Sequence, residues 1–468
     1  MGPTFPRGTG CSPTVSRSAI DQACDLGFLC LDRQRLGEAE DAFRGALRQD
    51  PACSRAWHGL GNLWLGRGRA DDSAEAFRRA LVQRPDHPVL VGNLALALHR
   101  TGQSGEAERL LRGLLAAHPE NYEGIINLGV VLRDLGQWRE ATRQFEQGLA
   151  LKPGSPKLRF DLALLRLASG DFTRGWRDYE LRWEANGTPM PGEEGIPVWQ
   201  GEPLAGKRLL LLAEQGFGDT LQFIRYAPLL ARQGCEVMLA CAPGLVRLMH
   251  TVDGLSQASA HPSSLPRADF QVPLMSLPYR CGTQPDTIPA DVPYLHAAPA
   301  ERARWAERLG DHAGKRVGLV WAGAPRPELP WAHETDRRRS LPLSVLAPLG
   351  RVAGIRLISL QKGPPAAQLA SAPPGLVIED YMDAVEDFAD TAALVANLDL
   401  VIAADTAVAH LAGALGVPVW LLSRFDGCWR WLLDRDDSPW YPGLRLFRQT
   451  RPGDWASVVA EVAAALER

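Results

Sequence analysis

The sequence predicts an α-helical repeat array followed by an α/β region made of two similar halves. Three observations carry this expectation. A 34-residue period runs from about residue 20 to 155. Beyond residue 206, apolar runs of strand length alternate with helical stretches. Residues 400–422 read strand, turn, helix, strand.

Composition sets the bounds. A chain of 468 residues has room for two or three domains, and 46% hydrophobic with 22% charged residues is ordinary for a globular protein. A formal charge of -3 argues against a nucleic-acid binder. The eight cysteines form no CxxC pair, which argues against a zinc site or a disulfide framework. The N-terminus is rich in Pro, Gly and Ser without an apolar centre, so no secretory signal is read there. No apolar run reaches membrane-spanning length, and the expected compartment is the cytoplasm.

Residues 1–18 are expected to be unstructured. The repeats follow. Pro51, Pro85, Pro119 and Pro153 are spaced by 34, and Leu26, Leu60, Leu94 and Leu128 share a register. Gly27, Gly61, Ala95 and Gly129 come next in phase, with Ala39, Ser73, Ala107 and Ala141 at the helix contact. Phe43, Phe77, Leu111 and Phe145 supply the large residue that packs there. Each unit is a helix hairpin that buries its apolar face only against its neighbours. The period, with Trp57, Leu60-Gly61, Trp64 and Pro85, resembles the tetratricopeptide repeat, over residues 19–170 with a degenerate fifth unit at its end. Such an array offers a concave surface to a protein or peptide; the plainer alternative is a helical spacer.

Residues 171–206 read as a capping helix and linker. Trp176, Tyr179 and Trp183 lie at helical spacing, a pattern for docking on the next domain, and 184–206 are rich in Gly, Pro and Glu.

The first α/β half is placed at 207–298. Lys207–Ala213 is a strand, followed by Glu214-Gln215-Gly216-Phe217-Gly218-Asp219-Thr220 and a helix from about Leu221 to Arg232. Gly216 and Gly218 permit a tight turn, and Asp219 falls at or near the helix start. Leu221 breaks the dinucleotide fingerprint GxGxxG. Strands are expected at 235–241 and 269–272.

The second half is placed at 315–468. Strands are expected at 316–321, 355–360 and 377–379, and helices at 298–314 and 388–396. A polar loop is read around Arg337, Arg338 and Arg339, either a solvated charge run or a guanidinium grip on phosphate. Lys362 stands at a strand end. In the 400–422 stretch Asp405 is the expected N-cap of a helix over Thr406–Leu415. Thr406 and His410 then share a face beside the free amides of the helix start, a place for a phosphate or ribose. The bland alternative is a capped helix with a histidine at the core edge. Asp434-Arg435-Asp436 matches a metal-binding DxD only superficially, and no metal is assigned.

Gly216-Phe217-Gly218-Asp219-Thr220, Asp405-Thr406-Ala407-Val408-Ala409-His410 and Gly416-Val417-Pro418 resemble the signatures of the heptosyltransferase-like family, glycosyltransferase family 9. With Gly175–Glu180 as the join, the chain is similar to bacterial tetratricopeptide-repeat glycosyltransferases. The resemblance implies a GT-B pair of Rossmann-type halves, acceptor side at 207–298 and donor side at 315–468. It implies Asp219 as general base on the acceptor hydroxyl, and Asp405, Thr406, Ala407 and His410 as the donor site. Lys362, Arg338 or Arg339 would balance the leaving group. The activity implied is inverting, metal-independent transfer from a nucleotide-sugar co-substrate to a protein or glycan held by the repeats. The alternative is an inactive repeat scaffold whose α/β part mediates protein–protein interaction.

Overall fold

The computed structural model describes residues 17–311, 313–327 and 330–468. The expectation for residues 1–18 lies outside them, except that Arg17 and Ser18 begin the first helix. The chain divides into two compact units. One runs to Leu132 and includes Arg139–Leu151; the other takes Arg133–Trp138 and Lys152–Arg468.

The first unit is built of helix hairpins: α1 Arg17–Asp32 with α2 Leu36–Gln49, α3 Ser54–Gly66 with α4 Ala70–Gln83, α5 Pro88–Arg100 with α6 Ser104–Ala117, and α7 Tyr122–Asp134 with α8 Trp138–Leu151. The phase has a steric cause. A Cβ at Gly61 would lie 2.5 Å from the Phe77 ring, and one at Gly129 2.3 Å from that of Phe145. The phenylalanines of α2, α4 and α8 therefore fill the space left at the glycines of α1, α3 and α7, and Phe43, Phe77 and Phe145 are fully buried. Inside each hairpin the turn residue is left-handed: Gly68, Gly102 and Gly136 have φ of 75°, 85° and 71°.

Beyond Arg133–Trp138, the second unit continues with α9 Pro156–Ala168 and α10 Phe172–Tyr179, then α11 Arg182–Asn186. The fifth hairpin, α9 with α10, belongs to the second compact unit. Phe172, Trp176 and Tyr179 are buried against Phe223, Trp429 and Trp440, as the aromatic spacing predicts. Trp183 is the exception: the helix breaks after Tyr179, and Trp183 instead carries the Arg182 guanidinium 3.5 Å from its ring. The 184–206 segment is ordered. Val198 bridges to Gln271, whose side-chain amide also binds the backbone of Glu193 and Ile196.

The first sheet contains β1 Arg208–Leu212, β2 Glu236–Ala240, β3 Leu255–Ser259 and β4 Phe270–Pro273, all parallel, in the order β3-β2-β1-β4. Its helices are α12 Phe217–Phe223, α13 Ala227–Ala231, α14 Pro243–Met249 and the short α15 Leu277–Arg280. Helix α12 starts four residues before the expected Leu221. The β3 strand escapes the sequence because Leu-Ser-Gln-Ala-Ser is an edge strand, mostly exposed and without an apolar run.

After α16 Pro299–Leu309 come β5 Lys315–Val320, α17 Pro330–Arg339, β6 Ile355–Ser359, β7 Ile378–Asp380, α18 Phe388–Val395, β8 Leu400–Ala404, α19 Ala407–Ala414, β9 Val419–Ser423, β10 Leu444–Arg448 and α20 Trp455–Leu466. The six strands are parallel in the order β7-β6-β5-β8-β9-β10. This is the 3-2-1-4-5-6 order of doubly wound sheets, with its switch point between β5 and β8. The expected loop around Arg337–Arg339 is the last turn of α17. Its sequence lacks apolar periodicity, but a helix end favours basic residues.

Candidate functional site

The two motifs that the sequence singles out meet. Helix α12 follows β1 and helix α19 follows β8, each at the carboxyl end of a central strand. Their first turns touch at Gly218: a Cβ there would stand 2.9 Å from His410 Cδ2 and 3.5 Å from Ala407 Cα. Glycine is therefore needed at 218 for close approach rather than for its φ.

Asp219 is the third residue of α12, not its N-cap. One carboxylate oxygen accepts the amide of Gly216, the N-cap, at 2.9 Å, the reach-back half of a capping box. The other accepts Arg430 Nη2, so both oxygens are engaged. Arg430 Nε donates to Gln222 Oε1 at 3.0 Å, and its guanidinium lies 4.3 Å from the Trp429 ring centre.

On α19 the N-cap is Thr406, in place of the expected Asp405. Thr406 is extended at φ -135°, and the helix begins at Ala407. Its hydroxyl makes no cap hydrogen bond and is buried without a partner. Asp405 precedes it, its carbonyl accepting Arg339 Nη1 at 2.9 Å. His410 is buried, stacked on Trp431 at 5.2 Å, with Nδ1 3.0 Å from the Tyr441 hydroxyl. Burial pushes the His410 pKa down to about 4, with Arg430 and Arg225 helping; Asp405 and Asp219 pull the other way. The imidazole is thus neutral at pH 7, and both carboxylates act on it.

The expected phosphate grips are otherwise occupied. Arg338 pairs with Asp134 at 2.8 Å and Asp426 at 3.1 Å. Arg339 also binds Asp336. Lys362 is exposed at the end of β6, two strands from β8, and donates to the Val385 carbonyl. Asp434 to Asp436 lie in the loop before β10, where Arg435 pairs with Asp437.

Sequence reasoning missed Arg430, Gln222, Tyr441, Tyr294 and Arg225. Arg225 is buried and donates to the carbonyls of Gln222, Pro289 and Trp440 and to the Tyr294 hydroxyl.

Residues 31–172 match the TPR domain of cytochrome c-type biogenesis protein H, so the N-terminal unit is a tetratricopeptide-repeat solenoid. The chain is similar to Protein FlbA of Caulobacter vibrioides, 28% identical over 344 residues, covering 67% of this chain and 56% of that protein. It therefore spans about half the length of this curated relative. The matched share is larger than residues 31–172 could supply, so it extends beyond the repeats. Among solved structures, PilF of Pseudomonas aeruginosa matches with a TM-score of 0.33 at 22% identity, over 38% of this chain and 78% of that one. A TPR protein of Thermus thermophilus matches with a TM-score of 0.32 at 23% identity, over 36% and 91%. Among the described residues no helix is long and apolar enough to cross a membrane.

Proposed function

We propose that the α/β unit is an inverting, metal-independent glycosyltransferase of the GT-B, heptosyltransferase-like type, and that the repeats recruit its protein or glycan acceptor. The donor's diphosphate rests on the first turn of α19, and the acceptor hydroxyl comes to Asp219. The observation that carries this reading is Thr406. It caps a helix at the switch point of a doubly wound sheet, where such folds bind ligands. Its hydroxyl is buried without a partner and leaves the first-turn amides without a side-chain cap. A phosphate would satisfy both, with the helix dipole favouring its charge. The departing diphosphate would meet fixed positive charge and dipoles in a buried setting.

Thermal unfolding with a panel of nucleotide sugars and nucleoside diphosphates tests the donor site. A bound ligand at a hundredfold excess over its Kd adds about 2.7 kcal/mol. Thr406→Val should gain about 1 kcal/mol of stability by removing the unpaired buried hydroxyl, yet bind the nucleotide roughly tenfold more weakly. His410→Ala should also reduce the shift. No shift from any member of the panel rejects the reading.

A scaffold without activity is the second reading, favoured by the engagement of Asp219, Arg338 and Arg339 in internal pairs. It predicts that the protein binds partners through the repeats while donor turnover stays at the uncatalysed rate.

A further inference from the structure

The Arg430 side chain is 12% exposed, and its carboxylate partner comes from the other half of the α/β unit. It stands on the turn Trp429–Trp431 after β9, and Asp219 belongs to α12. Arg339 and Arg424 find acids close in the chain, Asp336 and Asp426, whereas Arg430, like Arg338 with Asp134, reaches a distant one. Arg430 thus ties the first signature motif to the tail, and the next residue, Trp431, stacks on His410 of the second.

Its surroundings have a surplus of donors. Gln222 is fully buried; its Oε1 accepts from Arg430, while its Nε2 has no acceptor. Trp431, the next residue, stacks on His410, and its buried Nε1 also lacks an acceptor. The remaining nitrogen of Arg430, Nη1, reaches only the weak acceptor Cys428 Sγ at 3.3 Å. A group rich in acceptor oxygens fits such a place. A diphosphate is one, and a guanidinium matches its geometry.

Building on the donor site proposed above, we infer that Arg430 exchanges partners during the reaction: Asp219 holds it before the donor binds, and the donor's diphosphate takes it afterwards. The exchange does two things. It places positive charge on the leaving group, which departs with the electron pair of the sugar C1–O bond. It also frees one oxygen of Asp219, which receives the acceptor's hydroxyl proton as the new C1–O bond forms. Binding in one half thus arms the base in the other.

Calorimetric titration of the full chain with inorganic pyrophosphate and with nucleoside diphosphates tests this through a double-mutant cycle. If Asp219 and the diphosphate compete, Asp219→Asn should bind the nucleoside diphosphate about tenfold more tightly than wild type. Arg430→Gln should bind it at least tenfold more weakly. Adding Asp219→Asn to Arg430→Gln should then change nothing further. Arg430→Lys keeps the charge and should fall between wild type and Arg430→Gln, which provides a reading if the glutamine variant unfolds. Wild-type binding with unchanged or weaker affinity in Asp219→Asn overturns the exchange and leaves the donor site standing. Failure of every probe to bind wild type rejects the donor site, and the exchange with it.

Discussion

At His410, burial rather than sequence context sets the chemistry. A histidine four residues into a helix is often read as a base or ligand, but this one is held neutral beneath Trp431. Its pKa falls from the ordinary 6.5 to about 4. The unfolded chain therefore takes up a proton between those values where the folded chain does not. The sign follows: this contribution is complete above pH 6.5 and is lost as pH falls toward 4. It amounts to about 2 kcal/mol between pH 7 and pH 5. His410→Gln should flatten the pH dependence of unfolding by that amount, measured by urea denaturation at both pH values. An unaltered slope would show that His410 is not the group responsible. The local motifs here were legible: Gly216–Asp219 and Asp405–His410 announce themselves because strand, turn and helix start are consecutive. Arg430 was not, since its partner Asp219 lies 211 residues away in the sequence and nothing local marks the pairing.

At the scale of the element, the repeats show how one register can be kept with one exception. The turn position that is Gly68, Gly102, Gly136 and Gly170 is Gln34 in the first hairpin, with φ 60°. A side chain in the left-handed region costs about 1–2 kcal/mol. Gln34 is exposed, so nothing visible offsets that cost. Gln34→Gly should therefore stabilise the first hairpin by about 1 kcal/mol, and Gly68→Ala should destabilise the second by a similar amount; hydrogen exchange of the helix amides reports each. A neutral or destabilising Gln34→Gly would mean that the side chain makes up the difference. The period itself was legible because length, phase and residue size agree. Helix α17 was not, because its charge-rich sequence carries no apolar stripe, and the extent of α12 was hidden because its cap lies at the third residue.

At the scale of the molecule, two parallel sheets were legible as alternating apolar and helical stretches, but their strand order was not. Pairing of β5 with both β6 and β8 fixes the switch point, and no feature of either strand says which neighbour it will take. Strand order is what puts α19 at that point, and the site depends on it. The division of the chain has a consequence of the same kind. Asp134 sits in the stretch that packs with the α/β unit, where it binds Arg338. A truncation at the end of α8 would take that partner away. Removing α1 to α6, residues 17–117, would not. Repeat arrays hold together by nearest-neighbour contacts, so the remaining helices should stay folded. We expect the shortened protein to keep the nucleoside-diphosphate thermal shift within about 0.5 kcal/mol of the full chain's. If the repeats recruit the acceptor, transfer to a protein acceptor should drop by at least tenfold, chiefly through KM, while slow hydrolysis of the donor continues. Equal KM for the acceptor in both proteins would remove the repeats from substrate selection. A lost thermal shift would instead show that α1 to α6 support the fold of the α/β unit.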